Sequence, residues 1–159
     1  MKSSRVLING TIIFACIALF FLVMEWSGLS DQIYLRLVNF VFVIFGINRT
    51  IKQNYADKIY GYFTNFLSAI VTGIVSLALG LASFVAYVDY NGGQEYLRNF
   101  KESYIFGGGD PSIYQFVIGL ALEGAAASVI VSFALMQYWK DKVEKINKVD
   151  DAAHNTADV

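Results

Sequence analysis

Residues 116–133 read FVIGLALEGAAASVIVSF, eighteen residues carrying a single charge, Glu123. A helix that crosses a bilayer needs about 20 mostly apolar residues, because each adds ~1.5 Å across a hydrocarbon core of ~30 Å. Extended to residues 114–138, the stretch meets that requirement. Three further segments do the same: residues 6–24 (VLINGTIIFACIALFFLVM), 33–51 (interrupted by Arg36 and Asn39) and 66–88 (FLSAIVTGIVSLALGLASFVAYV). Only helices and closed barrels hide backbone polar groups in lipid, and these runs are too long and too unalternating for barrel strands. The sequence therefore predicts an all-α integral membrane four-helix bundle. It forms a single transmembrane domain over residues 1–148, with residues 149–159 (DAAHNTADV and its neighbours) a disordered tail.

Composition agrees. The chain is 56% hydrophobic and 16% charged, against about 25% charge in a soluble domain. Its net charge of −1 argues against nucleic acid, which needs clustered phosphate-neutralising cations. The one cysteine, Cys16, cannot form an intrachain disulfide, which excludes quinone-linked disulfide chemistry. The one histidine, His154, lies in the polar tail, whereas membrane haem proteins and zinc proteases need histidines in or beside their spans. No cofactor, metal or catalytic motif is expected, and the chain reads as a non-enzyme. The first span is longer than the ~7–15 apolar residues of a signal peptide, so it reads as a retained helix.

Orientation follows the basic residues near span ends. Lys2 and Arg5, then Arg49, Lys52 and Lys58, then Lys140, Lys142, Lys145 and Lys148 fall on one side; Arg98 and Lys101 fall on the other, with Arg36 just inside the second span. Both termini are expected in the cytoplasm of a bacterial inner membrane. The outer loop EWSGLSDQ makes spans one and two an antiparallel hairpin. The inner loop, residues 48–65, mixes cations with Tyr55, Tyr60, Tyr62 and Phe63. It reads as a solvated connector with aromatic anchors, the alternative being a lipid-specific site. In the long outer loop, Tyr96, Phe100 and Tyr104 recur every four residues, with Leu97 widening the face. That spacing predicts a short amphipathic helix between spans three and four. Past the last span, Asp141 with Lys145 and Glu144 with Lys148 are helix-stabilising pairs, so the helix is expected to run on into the cytoplasm.

Small residues recur at four-residue intervals: Ser68, Thr72, Ser76 and Gly80 in span three, and Gly124, Ser128 and Ser132 in span four, with Gly119 nearby. Close helix approach in lipid relies on such stripes, so spans three and four are expected to pack tightly; a polar pore is the alternative. Glu123 is the costly residue, since a charge at the bilayer centre costs roughly 2.5–3.5 kcal/mol on insertion scales. Its depth is comparable with Arg36 and Asn39 of span two, and an intramembrane cluster of the three is expected. Three roles stay open for it: fixing helix register, handling a proton or cation, or meeting another subunit.

The glycine and basic stretch leaving span two (FGINRTIKQNY, residues 45–55) and the entry to span three (GYFTNFLSAIVTG, residues 61–73) resemble a family of small four-span bacterial membrane proteins with a domain of unknown function. The resemblance implies a multi-pass inner-membrane location and supplies no activity. The sequence thus points to a structural or accessory membrane protein, partnered by the lipid bilayer and by copies of itself or other membrane subunits. A small oligomeric transporter or channel using Glu123 is the alternative.

Overall fold

The computed structural model describes residues 2–29, 32–98 and 112–143. Four long helices dominate: α1 (Ser3–Trp26), α2 (Val38–Ala56), α3 (Tyr62–Tyr90) and α5 (Ile113–Val143), with a short α4 (Gln94–Arg98) after α3. Among the described residues all four are long and apolar enough to cross a membrane. Helices α1, α3 and α5 run further at both ends than hydropathy alone predicts, and α2 runs further at its C-terminal end. At ~1.5 Å per residue, α3 and α5 exceed a ~30 Å hydrocarbon core and so reach past it or tilt within it. The second span also opens differently: residues Ile33–Leu37 form a 3-10 turn, and α2 proper begins at Val38.

The chain runs up, down, up and down. The Lys2 ammonium pairs with Asp57 beyond α2, and the Gly61 N–H donates to the Val143 carbonyl at the end of α5, 2.9 Å away. Both ends of the described chain therefore share one end of the bundle, here the terminal end. The other, the α4 end, holds the α1–α2 connection and α4. Helix α3 packs against α1, α2 and α5, and α2 also meets α1 and α5.

The distribution of polarity is inverted relative to a water-soluble bundle. Asn9, Thr50, Asn54, Asn65, Ser68, Thr72 and Ser132 are buried, while Leu19, Val41, Phe45, Leu122 and Ile130 stand exposed on the outer faces. A soluble protein places those classes the other way round. In lipid, apolar burial no longer drives helix association, so small and polar residues occupy the seams and bulky apolar ones face the tails. The seams are close. A Cβ added at Gly73 would lie 2.5 Å from Ser128 Oγ and 2.7 Å from its Cβ, and one at Gly10 would lie 3.0 Å from the Thr72 carbonyl oxygen.

Helix α4 closes its end of the bundle. Leu97 packs in a cluster with Val88 and Phe116, and Tyr96 donates to Glu25 of α1 at 2.9 Å. A short helix thus occupies part of the outer loop; Phe100 and Tyr104 lie outside the described residues. So do residues 149–159 and the pairs made by Lys145 and Lys148.

Helix ends use one device three times. After α1, Gly28 N–H bonds to the Glu25 carbonyl and Leu29 N–H to Met24; after α3, Gly92 bonds back to Asp89 and Gly93 to Val88. This double closure needs a left-handed residue after the helix, which Gly28 supplies at φ 66° without a Cβ penalty. At the end of α2 the same bonds form, Lys58 to Tyr55 and Ile59 to Asn54, but Lys58 itself sits at φ 60°. A left-handed residue with a side chain costs roughly 1–2 kcal/mol.

Lys58→Gly is therefore expected to raise thermal stability in detergent by up to about 1 kcal/mol, the relief being partly offset by glycine's greater unfolded-state entropy. An unchanged or lower midpoint would contradict the strain assignment. Gly73→Val is expected to cost about 1–3 kcal/mol by overpacking against Ser128. Gly80→Ala, whose Cβ enters open space, should cost nothing measurable in the same melt.

Candidate functional site

Helices α2 and α5 meet at the terminal end, where Trp139 Nε1 donates to Asn48 Oδ1 at 2.8 Å. Towards the α4 end they part, leaving a groove of about 440 Å³ floored by α1 and α3. Its walls are mostly apolar, with Arg36 and Asn39 on the α2 side and Glu123 on α5. Small residues hollow it: Ser76, Gly80 and Ser83 of α3 line it.

The three residues of the predicted polar cluster thus share one cavity. Glu123 is exposed there, and its carboxylate has no hydrogen-bond or ion-pair partner among the described residues. Asn39 Oδ1 is buried without a partner. Arg36 has interactions of its own, and no ion pair joins it to Glu123. The 3-10 turn offers a physical reason, since its ~120° per residue rotates Arg36 from the direction that a continuous α-helix would give it.

The small-residue positions divide among several neighbours. Ser128 meets Gly73, and Gly124 approaches the Leu77 side chain, so both serve the α3–α5 seam. Thr72 lies 3.1 Å from Thr50 Oγ1 across the α2–α3 seam, and Ser68 is buried beside it, donating to the Thr64 carbonyl. Gly119 and Ser132 are buried in α5, Ser132 Oγ having no hydrogen-bond partner. Ser76 and Gly80 belong to the groove.

A second polar assembly occupies the terminal half. Asn9 Nδ2 of α1 donates to Thr50 Oγ1 and Gln53 Oε1 of α2, both at 2.9 Å, and Thr50 continues to Thr72 of α3. One turn nearer the end, Arg5 donates to Asn54 Oδ1 at 2.7 Å, and with Lys2 it clasps Asp57. Asn65 Nδ2 holds the carbonyls of Ile59 and Gly61, at 3.1 and 2.9 Å, and so shapes the α2–α3 connection. The signal for this seam was present as four-residue spacing: Arg5 with Asn9, and Gly46 with Thr50 and Asn54. Ending span two at residue 51 assigned Asn54 to a solvated connector and hid it.

Aromatic contacts finish this end. Tyr55 packs on Tyr60 and Trp139, and the Lys142 ammonium lies 4.8 Å from the Trp139 ring centre. The electrostatics are local. Hydrogen bonds from Lys2, then Arg5, hold the Asp57 carboxyl below the usual aspartate range. At the α4 end, burial and then the Glu25 carboxylate push the Tyr96 phenol above its ordinary range. No three of the His, Cys, Asp and Glu side chains among the described residues gather into a metal-holding group.

Comparison with known protein families, curated proteins and solved structures finds no match to any of them. Of the family resemblance in the sequence, what stands is the architecture: four long, apolar, packed helices.

The Asp57 clasp predicts a pH dependence. A carboxyl with a folded pKa below its unfolded value, near ~3.9, stabilises the fold above that value and loses the contribution as pH falls through the folded pKa. Asp57→Asn should lower the melting midpoint at pH 7, and the gap to wild type should close as pH drops below about 4. A gap that persists unchanged in acid would show that the charge is not what matters.

Proposed function

We propose that this chain is a structural or accessory multi-pass protein of a bacterial cytoplasmic membrane. Both termini face the cytoplasm, and its α2–α5 groove is the face on which a second copy docks. The role is non-enzymatic. The observation that carries the reading is Glu123: a carboxylate within a membrane-crossing helix, at the edge of an apolar groove, with no partner among the described residues. A carboxyl group in hydrocarbon needs a donor or a counter-charge, and none of the described residues supplies one.

A second copy supplies it by symmetry. A two-fold axis along the membrane normal sets the α2 wall of one copy against the α5 wall of the other, because an isologous interface is self-complementary. Arg36 of each copy then faces Glu123 of the other, at unchanged depth. The glycine, serine and alanine lining of the groove allows close approach. Cytoplasmic termini are supported by the basic residues gathered at the terminal end, among them Lys2, Arg5, Arg49, Lys52 and Lys140.

One observation favours a second reading. The Glu123 carboxyl lines the cavity together with the polar residues Asn39, Ser76 and Ser83, as a proton- or cation-handling site of an oligomeric transporter would require.

Native mass spectrometry of the full chain in mild detergent is expected to show a dimer. Arg36→Glu or Glu123→Arg alone should dissociate it by opposing like charges, and the double swap should restore it. A monomeric wild type, or a dimer indifferent to both charges, would overturn the docking assignment. Proton-coupled flux in proteoliposomes that Glu123→Gln abolishes would establish the transporter reading instead.

A further inference from the structure

At the terminal end, on the opposite side of the seam from the groove, Lys2, Ser4, Arg5, Ile8, Arg49 and Gln53 surround a surface hollow of about 290 Å³. Its polar atoms are almost all donors. Gln53 gives its carbonyl oxygen to Asn9, which leaves its NH₂ for another acceptor. Arg49 is exposed and has no hydrogen-bond or ion-pair partner among the described residues. Arg5 is committed to Asn54 and Asp57 and frames the wall. Lys2 shares Asp57 with it and keeps two further ammonium protons. One acid against three cations leaves the hollow net positive.

Its position is as informative as its charge. The rim residue Ile8 is 58% exposed, and from it the outer face of α1 continues through Ala15 to Leu19, both exposed. On α2, Phe45 and Val41 lie one and two turns below Arg49 on the same face, and both are exposed. Donors at the helix ends, with apolar side chains running from them towards the middle of the spans, match an amphiphile with an anionic head and a hydrocarbon tail. A basic pocket between transmembrane helices at the cytoplasmic level is the arrangement that holds anionic lipid head groups.

The geometry points to a specific site for one anionic phospholipid. Its phosphodiester sits among Arg49, Lys2 and the Gln53 amide, and one acyl chain lies along Ile8 and Phe45 between α1 and α2. This rests on the membrane reading and is independent of the groove and its dimer. Bound there, the lipid ties the start of α1 to the end of α2 beside the Asp57 clasp, so it acts as an external brace on the α1–α2 hairpin.

The test is native mass spectrometry of the full chain in mild detergent with equimolar phosphatidylglycerol and phosphatidylcholine, alongside a thermal melt in each lipid. Wild type should retain one phosphatidylglycerol preferentially and melt higher with it. Arg49→Gln and Lys2→Gln should each weaken retention about fivefold, the scale of one basic residue at an anionic surface. Lys140→Gln removes the same charge from an exposed position at the same end and should leave retention unchanged. Equal retention of both lipids, equal loss in the Lys140 variant, or displacement of the lipid by inorganic phosphate would each overturn the site. Failure of the membrane reading would show separately, as a chain that stays dispersed without any detergent.

Discussion

In a hydrocarbon solvent every polar group has to find its partner inside the protein, and the rest of this structure follows from that constraint. Four helices satisfy their own backbones over the apolar lengths. Polar side chains within them turn inward or back. Ser68, Thr72 and Ser128 each bond the carbonyl four residues earlier, Thr50 shares its one proton between the Gly46 carbonyl and Thr72 Oγ1, and Asn9 reaches across to α2. The resulting seam through Asn9, Thr50 and Thr72 joins three helices where water could not. Interhelical hydrogen bonds of this kind contribute about 0.6 kcal/mol on average in membrane proteins, so the seam acts chiefly by fixing register. Close packing at Gly10 and Gly46 within this seam, and at Gly73 and Gly124 between α3 and α5, supplies dispersion.

Some exceptions to that rule are buried, as at Ser132 Oγ and Asn39 Oδ1; two others stand at the surface. Glu123 has no partner among the described residues and lines the groove where α2 and α5 part, as does Asn39. Arg49, in the donor-lined hollow at the terminal end, also has none among the described residues. The two places differ in depth and chemistry. The first is apolar, hollowed by small residues and bordered by one charge of each sign, which suits a helical partner. The second is cationic and level with the helix ends, which suits a head group. One protein surface thus carries two kinds of unfinished contact.

Hydropathy made the four spans legible because residues such as those of 116–133 leave no other backbone arrangement in lipid. It also placed α4, since Tyr96 and Leu97 sit on one face of a short periodic run. Span ends were less legible. Helices continue into the interface as long as side chains such as Asn54 and Asn65 meet their neighbours, and hydropathy counts those residues as loop. The 3-10 entry to α2 left no mark in composition, yet it decides where Arg36 points. Polar partners escaped for a related reason: Asn9 and Thr50 are 41 residues apart, and only the register of three helices brings them together. Glu123 is visible in the sequence as an anomaly. Its exposure is not, because a one-dimensional pattern cannot say which face of α5 the neighbours leave open.

The most direct test of the whole account is the compartment of the two chain ends, read by paired reporter fusions at residue 1 and residue 159 of the intact protein in a bacterial membrane. Four crossings place both reporters on the same side of the membrane, and the cytoplasmic side is the expected one. Reporters found in different compartments, or both in the supernatant after the membranes are sedimented, would contradict it.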